Sequence, residues 1–500
     1  MTSAPVADVR REPEPVSPDR SPDRDRLVDT VLWGATAGVV IVYAVVFVLS
    51  AAARIPSPYE LMYGESIVLQ ESRRFAMGDP LYPAPTQLPL TVTAYTPLYY
   101  VLVGTLQRFF ADYTYTIGRL VSLGSTLGGA LCLAFAIRRA GGRWSAGGLA
   151  AVYFLTQNMT ALLWAPLDRV DPLALGLTLL GLALAADRRP LWATLPFLLA
   201  MLTKQSYVVA PLAVFVVLWP ARRTMLAFAL ILVVGLIAAV LACQRLTDGW
   251  FLWHVVVANA NPFTFDYVTT QLGGFLQFNG LPLLLASAMF ALPGRPGERL
   301  WRVYFVLTLL ETLATIGKVG ASSNYWLELS AATAGLIGLL AVRVLYLPGR
   351  ASSWYVRALL GGLLIAMPAY QATAYEGLLL TQTGETPGLH DQAQLTQLVA
   401  QTPGDVFTDE PGIAIAAGKS IQFEAVIYTV LAEQHLWDQT PILDAIHAKR
   451  FSLVVLDESL DDEPPPIEAE RITRTVRDAL HDAYEPIGQQ NGVWLYRPRS

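Results

Sequence analysis

Long apolar runs recur along most of this chain. A helix needs about 20 predominantly apolar residues to cross the hydrocarbon core of a bilayer. Eleven runs approach that length, and they cover residues 28–50, 117–137, 145–164, 168–186, 190–204, 206–220, 224–243, 271–292, 300–317, 325–346 and 354–376. The pattern predicts a membrane all-α fold, a polytopic bundle of about 11 transmembrane helices within residues 27–376.

A shorter apolar run at residues 95–110 is predicted not to cross the membrane. It begins Tyr-Thr-Pro, carries Gln107 and Arg108 near its end, and falls short of about 20 residues. We expect it to form a helix in the interface. It belongs to a long loop, residues 51–116, which is rich in carboxylates and aromatic residues. A simple connection between two spans needs no such loop, so we predict a catalytic loop at the mouth of the bundle.

Arginines provide an independent test of this count of spans. If the N-terminal tail is cytoplasmic and residues 95–110 do not cross, every short inner loop is basic, as the positive-inside rule requires. The arginines of these inner loops are Arg138, Arg139, Arg143, Arg188, Arg189, Arg222, Arg223, Arg295, Arg299, Arg302, Arg343, Arg350 and Arg357. A crossing at residues 95–110 would place all of them outside. The eleven-span topology is therefore favoured, and it places everything after residue 376 outside the cytoplasm.

The two ends of the chain differ in composition from its middle. Residues 1–26 are rich in Pro, Asp, Glu and Arg and are predicted to be a disordered cytoplasmic tail. Residues 381–500 are predicted to form a small extracytoplasmic α/β domain. Its predicted strands cover residues 406–408, 452–456 and 492–496, and its predicted helices cover residues 422–436, 440–449 and 468–483.

Composition indicates a membrane protein and gives no support to nucleic-acid binding. Hydrophobic residues make up 54% of the chain and charged residues 15%, whereas a soluble globular protein has about 25% charged residues. The net charge of −5 averages a membrane body with an acidic tail domain. Both cysteines, Cys132 and Cys243, fall inside apolar runs, so neither a disulfide nor a cysteine metal site is expected.

With this topology, polar residues from separate segments fall at the same outer level. Ionisable groups at membrane depth are costly and mark functional sites by default. The predicted catalytic residues are Glu65 and Glu60. The predicted substrate-binding residues are Tyr95, Arg169, Asp171, Lys204, Gln205, Asn324, Tyr325 and Glu328. A channel or a proton relay would instead need polar residues in both halves of the bilayer.

The two predicted catalytic carboxylates also have structural interpretations. Glu65 lies in a Tyr-Gly-Glu turn, where it is either a solvated loop carboxylate or a placed general base. Glu60 suits a structural or helix-capping role better than catalysis. No spacing of His, Asp and Glu matches a metal site, although a divalent metal is not excluded.

The predicted substrate-binding residues have alternatives of the same kind. Arg169 and Asp171 either pair with each other, as intramembrane charges do, or face a substrate. Lys204 either extends its ammonium to the interface or binds a phosphate. Glu328 bonds sugar hydroxyls or only satisfies a neighbouring helix.

Motifs in a fixed order along these runs resemble the GT-C superfamily of integral-membrane glycosyltransferases. The similarity is to bacterial members such as protein mannosyltransferases and lipid A aminoarabinose transferases, and it covers the whole membrane region. The motifs are Tyr63-Gly64-Glu65, Gly78-Asp79-Pro80-Leu81-Tyr82, Tyr95-Thr96-Pro97-Leu98-Tyr99-Tyr100, Gly118-Arg119-Leu120, Thr203-Lys204-Gln205-Ser206 and Asn324-Tyr325-Trp326-Leu327-Glu328. An outer α/β tail also occurs in such proteins.

The resemblance implies transfer of a sugar from a polyprenyl-phosphate donor to an envelope acceptor, which is a lipid, a glycan or a protein, on the outer face of the cell membrane. It implies that an acidic residue of the first outer loop acts at the acceptor. That role falls on Glu65, although many relatives have Asp there. It also implies that Lys204 and Arg169 meet the lipid phosphate. No cofactor and no nucleotide-sugar site are expected.

Two functions of other classes stay open at this point. A transporter or flippase of lipid-linked sugars would need a path to the cytoplasmic half, with inverted repeats and broken helices in matching positions. No such internal repeat is visible in the sequence. A non-catalytic membrane scaffold, whose outer domain binds an envelope partner, is the third alternative.

Overall fold

The computed structural model describes residues 47–157, 160–345, 389–462 and 471–500, with a few single positions outside these ranges. The predicted tail at residues 1–26, most of the first apolar run and the last run at residues 354–376 lie outside the described residues. Residues 47–54 form the end of a helix.

Helices make up the described part of the bundle, and they follow the predicted runs closely. They are α3 (Tyr115–Arg139), α4 (Trp144–Thr156), α5 (Ala161–Trp164), α6 (Val170–Ala186), α7 (Pro190–Thr203), α8 (Val209–Val217), α9 (Arg222–Leu246), α10 (Phe251–Val255), α11 (Phe265–Ser287), α12 (Arg299–Thr315) and α13 (Leu327–Leu345). Every predicted run between residues 117 and 346 therefore contains a helix.

The number of helices that can cross a membrane is smaller than the number of apolar runs. Within the described residues, four helical stretches are long and apolar enough, namely Tyr115–Arg139, Arg222–Leu246, Phe265–Ala291 and Ser323–Arg343. The helices α6 and α7 are apolar but shorter. Several runs overestimate their helices because an apolar sequence continues through a turn, as at residues 206–220, where α8 has nine residues. The predicted eleven spans are thus not established, while a multi-pass membrane protein is.

The bundle core forms where helices with small residues approach closely. Helix α3 packs against α4 and α6, and α6 packs against α7. A Cβ atom at Gly147 of α4 would lie 2.3 Å from the backbone oxygen of Ala134 of α3, so only glycine permits this contact. Large side chains such as Tyr153, Phe197 and Trp301 fill the remaining interior and are fully buried.

The predicted inner-loop arginines gather at one end of the bundle, which we call the basic end. Arg139, at the end of α3, pairs with Asp187 after α6 at 2.7 Å. Arg343 in α13 and Arg302 in α12 both pair with Glu298, at 2.7 and 3.0 Å. Gly297 lies against the backbone of Ala140 and so joins these two groups. Three helices, α3, α12 and α13, therefore bring basic residues to the same end, as the positive-inside argument predicts.

The first loop contains two helices, of which the sequence predicted one. Helix α2 (Leu98–Phe110) has 13 residues. At 1.5 Å per residue it spans about 20 Å, less than the ~30 Å core of a bilayer, which fits the predicted non-crossing helix. Helix α1 (Glu65–Met77) was not predicted, and it packs against α2. Its buried residues include Glu65, Glu71 and Ser72. Because polar residues occupy the buried face, the apolar periodicity that predicts a helix is weak here.

The C-terminal part is an α/β domain, as predicted. Its sheet has the order β1-β2-β4-β3, with β1 (Asp405–Thr408) parallel to β2 (Phe451–Leu456), and with β4 (Val493–Pro498) antiparallel to both β2 and β3 (Tyr484–Gln490). The accompanying helices are α14 (Leu389–Gln401), α15 (Pro411–Ala416), α16 (Ala425–Glu433), α17 (Thr440–His447) and α18 (Arg474–Ala483). Strand β3 was not predicted, because Pro486 and Gly488 weaken a strand pattern and are tolerated at a sheet edge.

Candidate functional site

Glu65 is buried at the junction between the first loop and the bundle. It is the first residue of α1, not a residue of a solvated turn. Its two carboxylate oxygens accept bonds from Nε and Nη2 of Arg119, both at 3.0 Å. They also accept the backbone N–H groups of Leu61 and Asp168, both at 2.7 Å. The carboxylate is held in a fixed position, and each of its oxygens already accepts two hydrogen bonds.

Arg119, which follows Gly118, is a charged residue inside the apolar run at residues 117–137. It is fully buried in α3, and besides Glu65 it donates to backbone oxygens of the loop. Those oxygens belong to Arg54, Ile55, Ser57 and Tyr59. One guanidinium therefore ties the start of the loop to the carboxylate of α1.

Asp168 lies beside Glu65 and retains one carboxylate oxygen without a bond. Its Oδ1 accepts the hydroxyl of Tyr99 at 2.8 Å, whereas its Oδ2 is buried and has no hydrogen-bond partner among the described residues. Gly118 makes room for it, since a Cβ there would lie 1.9 Å from Oδ1. A buried acceptor without a partner is costly unless a ligand or a water supplies the bond.

Glu60 contacts the beginning of α1. Its Oε1 accepts the backbone N–H of Ser66, the second residue of α1, at 3.2 Å. This geometry is that of a helix cap, the structural alternative for this residue. Its other oxygen approaches Gly412 of the C-terminal domain. Burial, as the largest cause, raises the pKa of Glu60 to about 7.

Three predicted substrate-binding residues meet around the ammonium of Lys204. Lys204 follows the last residue of α7 and donates to Oδ1 of Asp171 at 2.5 Å. Asn324 donates to the same oxygen at 2.9 Å. All three side chains are buried, although they come from segments that are 33 and 153 residues apart. Lys204 therefore pairs with Asp171 and does not extend freely to the interface.

Aromatic rings enclose this group, which we call the Lys204 cluster (Asp171, Lys204, Asn324, Tyr95 and Tyr325). The ammonium lies 5.3 Å from the centre of the Tyr95 ring and 5.3 Å from the centre of the Tyr325 ring. Such distances are those of a cation–π contact. Both rings are half-buried while the three polar side chains are buried, so the rings form the accessible side of the cluster.

Arg169 supplies a second cation next to the cluster. Its Nη1 donates to the backbone oxygen of Tyr63 at 2.9 Å, and its guanidinium lies 5.3 Å from the Trp164 ring. Its charge also interacts with Tyr95 and Asp171. Arg169 does not form an ion pair with Asp171, the structural alternative, and it keeps further N–H groups for other partners.

The remaining two predicted residues have different surroundings. Gln205 donates to the backbone oxygens of Ala94 and Val255, at 3.0 and 3.2 Å, and so anchors the loop. Glu328 is buried and accepts the hydroxyl of Tyr304 at 2.9 Å. Seven of the eight predicted substrate-binding residues thus lie in the Lys204 cluster or next to it. The eighth, Glu328, instead bonds Tyr304 of the neighbouring helix α12.

Several acceptor atoms in this region have no partner. Oδ2 of Asp171, Oδ1 of Asn324 and Oε1 of Gln205 are buried and accept no hydrogen bond from the described residues. Burying such atoms costs about 1–3 kcal/mol each when nothing donates to them. Their concentration near Lys204 fits a ligand with several hydroxyl groups.

Sequence reasoning missed three residues of the site. Asp168 was given no role although it precedes the predicted Arg169. Arg119 was included only as part of a motif, and Glu311 of α12 was not singled out. Glu311 is half-buried and interacts electrostatically with Lys204. An isolated charge inside an apolar run is the signal that could have found Arg119 and Glu311.

Carboxylates such as those of this site are also potential metal ligands. Within the described ranges, no group of three or more His, Cys, Asp or Glu side chains is arranged to hold a metal ion.

Comparisons with known proteins concern the fold. No protein-family model matches the chain, and no curated protein matches it in sequence. The fold is similar to that of ArnT from Cupriavidus metallidurans bound to undecaprenyl phosphate, with a TM-score of 0.58, 15% identity, and coverage of 92% of this chain and 98% of that one. The apo state of the same ArnT gives a TM-score of 0.59 and 16% identity with the same coverage.

A third solved structure is less similar. It is the archaeal oligosaccharyltransferase AglB from Archaeoglobus fulgidus, in complex with an inhibitory peptide and a dolichol-phosphate. Its TM-score is 0.49 at 14% identity, covering 84% of this chain and 69% of that one. The resemblance to GT-C glycosyltransferases read from the sequence is confirmed for the fold by the similarity to ArnT.

Proposed function

We propose that this protein transfers a sugar from a polyprenyl phosphate to a hydroxyl group of an envelope acceptor. The observation that carries the proposal is the Lys204 cluster, a buried ammonium between two accessible rings, with unpartnered acceptors beside it. It lies at the bundle end opposite the arginines, where the first loop packs. The similar fold of ArnT is known with undecaprenyl phosphate bound, and the favoured topology puts this end of the bundle outside the cytoplasm.

Lys204 and Arg169 are the proposed partners of the donor phosphate. As the bond between the sugar and the phosphate breaks, the leaving phosphate gains negative charge. A cation fixed at that point stabilises the transition state more than the ground state. Lys204 donates one N–H to Asp171 and keeps two, and Arg169 donates one of its five N–H groups to Tyr63. Both therefore retain donors for phosphate oxygens.

The sugar is proposed to lie against Tyr95 and Tyr325. Aromatic faces suit the apolar faces of a sugar ring, and the unpartnered oxygens of Asp171 and Asn324 suit its hydroxyl groups. Asp171 then has two tasks. Its Oδ1 holds Lys204 in place, and its Oδ2 accepts from the substrate.

The base expected at Glu65 is assigned to Asp168 in this proposal, and Glu65 is assigned the task of holding Asp168 in place. An acceptor hydroxyl is a weak nucleophile, and a positioned base that takes its proton contributes typically 10²–10⁴-fold. Glu65 would have to lose one of four hydrogen bonds to accept a proton, whereas Oδ2 of Asp168 has no partner to lose. We assign the base to Asp168, which Glu65 holds through its backbone N–H.

The proposed step is a single displacement. The acceptor oxygen forms a new bond to the anomeric carbon, the bond from that carbon to the phosphate oxygen breaks, and the configuration inverts. The proton of the acceptor goes to Asp168, and the polyprenyl phosphate leaves with the bonding electron pair. Residues 168–171 connect the base to the Lys204 cluster along the chain.

The test is transfer of a radiolabelled sugar from polyprenyl phosphates in membranes that contain the full-length protein. Lys204→Ala and Arg169→Ala are expected to lower transfer at least 100-fold together, and Arg223→Ala, at the basic end, is the matched control. Transfer at the wild-type rate in both cation variants would overturn the proposal. Movement of labelled lipid across liposomes without transfer to any acceptor would favour a flippase instead.

A further inference from the structure

Residues 90–96, which we call the strap, run between the C-terminal domain and the bundle. On the domain side, Leu90 forms a parallel bridge with Phe423. The N–H of Leu90 donates to the oxygen of Gln422 at 2.8 Å, and the N–H of Glu424 donates to the oxygen of Leu90 at 2.9 Å. The strap is thus an added strand-like segment at the edge of residues 422–424.

A side chain continues this pairing by one more residue. Oε2 of Glu424 accepts the N–H of Val92 at 2.8 Å. Both residues are buried. A second anchor lies next to them, where the amide of Gln70 in α1 donates to the oxygen of Ile421 at 3.2 Å and accepts its N–H at 2.5 Å. Helix α1, the strap and the domain therefore share one buried seam.

The strap alternates its side chains between two environments. Leu90 and Val92 belong to the hydrophobic core of the C-terminal domain, with 1% and 0% exposure. Thr91 and Thr93 point to α1, where their hydroxyls bond Arg74 and Glu71, at 2.7 and 2.8 Å. A shift of one residue would exchange these two sets, so the register of an extended segment is strongly specified here.

The bundle holds the other end of the strap. The N–H of Thr93 donates to Nδ1 of His254 at 3.0 Å. The oxygen of Ala94 accepts from Asn259 at 2.7 Å, and the hydroxyl of Thr96 donates to the oxygen of Met201 at 2.8 Å. Between these bonds stands Tyr95, whose ring forms one wall of the Lys204 cluster.

We propose that Glu424 is a positioning residue, which fixes the register of the strap and thereby places the Tyr95 ring over Lys204. The inference rests on the proposed function, since Tyr95 is there a substrate-binding residue. Val92 and Tyr95 are three residues apart, about 10 Å in an extended chain. The C-terminal domain therefore takes part in forming the sugar site although it contributes no residue to the Lys204 cluster.

Kinetics test the coupling to transfer. Glu424→Ala removes the acceptor of the Val92 N–H, and we expect kcat/KM for the polyprenyl-phosphate sugar to fall roughly 10-fold to 100-fold. Glu424→Gln keeps an oxygen at this position and is expected to retain activity. Glu433→Ala is the matched control, because Glu433 is the exposed last residue of helix α16, which Glu424 caps at the other end. A kcat/KM of Glu424→Ala equal to that of the wild type would overturn the proposal.

A double-mutant cycle separates positioning from general destabilisation. If Glu424 acts through Tyr95, the loss caused by Glu424→Ala shrinks in a Tyr95→Ala background, because the two changes remove the same interaction. If Glu424→Ala lowers kcat/KM equally in the wild-type and Tyr95→Ala proteins, Glu424 only stabilises the fold, and the positioning role is overturned.

Hydrogen exchange tests the strap without any activity. In Glu424→Ala we expect faster amide exchange in peptides covering residues 88–96, with unchanged exchange in strands β2 and β4 as the measure of an intact domain. Unchanged exchange at residues 88–96 overturns the proposal. If the wild-type protein transfers no sugar, the proposed function fails, and this measurement still shows whether Glu424 holds the strap.

Discussion

The carboxylate of Glu65 and the guanidinium of Arg119 form a two-point ion pair with no exposure of either side chain to solvent. The pair joins the first turn of α1 to α3, and the remaining N–H groups of Arg119 hold the backbone of residues 54–59. Removing one partner of a buried pair leaves the other charge uncompensated. The pair is therefore a structural joint between the first loop and the bundle.

Glu65→Gln is expected to destabilise the protein as well as to slow transfer. Breaking a buried ion pair typically costs about 3–5 kcal/mol. The measurement is the thermal unfolding midpoint in detergent, compared with that of Glu433→Gln on the surface. The double variant Glu65→Leu with Arg119→Met should be less destabilised than either single variant. A midpoint unchanged by Glu65→Gln would contradict the buried joint.

Asp168→Asn is expected to lower kcat by about 10²–10⁴-fold with little change in stability. The amide keeps the size of the carboxylate and its Oδ1 still accepts from Tyr99, but it cannot take a proton. Steady-state kinetics with a saturating donor measure the change, and Asp187→Asn at the basic end serves as the control. A normal kcat in Asp168→Asn, with loss in Glu65→Asp, would return the base to Glu65.

Gly64→Ala is expected to cost more than Gly78→Ala. Both glycines cap α1, with φ of 94° and 90°, so both substitutions carry the same left-handed strain, about 1 kcal/mol or more. Only at Gly64 would the new Cβ strike a neighbour, 2.1 Å from Nη1 of Arg169, whereas nothing lies within 4 Å at Gly78. Donor KM and unfolding midpoints of the two variants give the comparison, and equal effects on both would remove Arg169 from this contact.

The stability of the protein is expected to fall as pH rises from about 4.5 to about 8, in part through Glu424. Burial, as the largest cause, raises the pKa of Glu424 from 4.5 to about 8, and the charge of Glu71 adds to this. The unfolded chain releases this proton near pH 4.5 and the folded protein only near pH 8. The contribution of Glu424 to the free energy of unfolding is therefore full below pH 4.5 and is lost as the pH rises to about 8.

Glu424→Gln should reduce this pH dependence because the amide does not ionise. The measurement is the unfolding midpoint at several pH values, for the wild type and the variant. Burial also raises the pKa values of Glu60 and Asp409, to about 7. These two residues therefore lower the unfolding midpoint as pH rises in the wild type and in the variant alike. Identical slopes in the two proteins would show that Glu424 ionises normally.

The sequence was sufficient to predict which residues gather at one end. Lys204, Asp171, Asn324, Tyr95 and Tyr325 were selected because charges and amides at helix ends stand out against apolar runs. Their convergence follows from a bundle in which alternate connections share a side. The partner of each residue could not be predicted, since pairing depends on side-chain distances that a one-dimensional pattern does not contain.

Helix α1 and Arg119 show where the sequence argument reached its limit. Helix α1 buries Glu65, Glu71 and Ser72, so it lacks the apolar stripe by which amphipathic helices are recognised. Arg119 is a buried cation whose partner lies 54 residues earlier. In both cases polar groups are buried against each other, and the pairing becomes visible only when the chain is folded.

The bonds at both ends of the strap restrict how substrates reach the Lys204 cluster. Lifting the strap from the bundle would break the bonds of Thr93, Ala94 and Thr96 together, and detaching it from the C-terminal domain would expose Leu90 and Val92 to water. If the Lys204 cluster binds a polyprenyl phosphate as proposed, the isoprenoid tail is therefore expected to enter laterally between helix ends, from the lipid phase, while the strap stays in place.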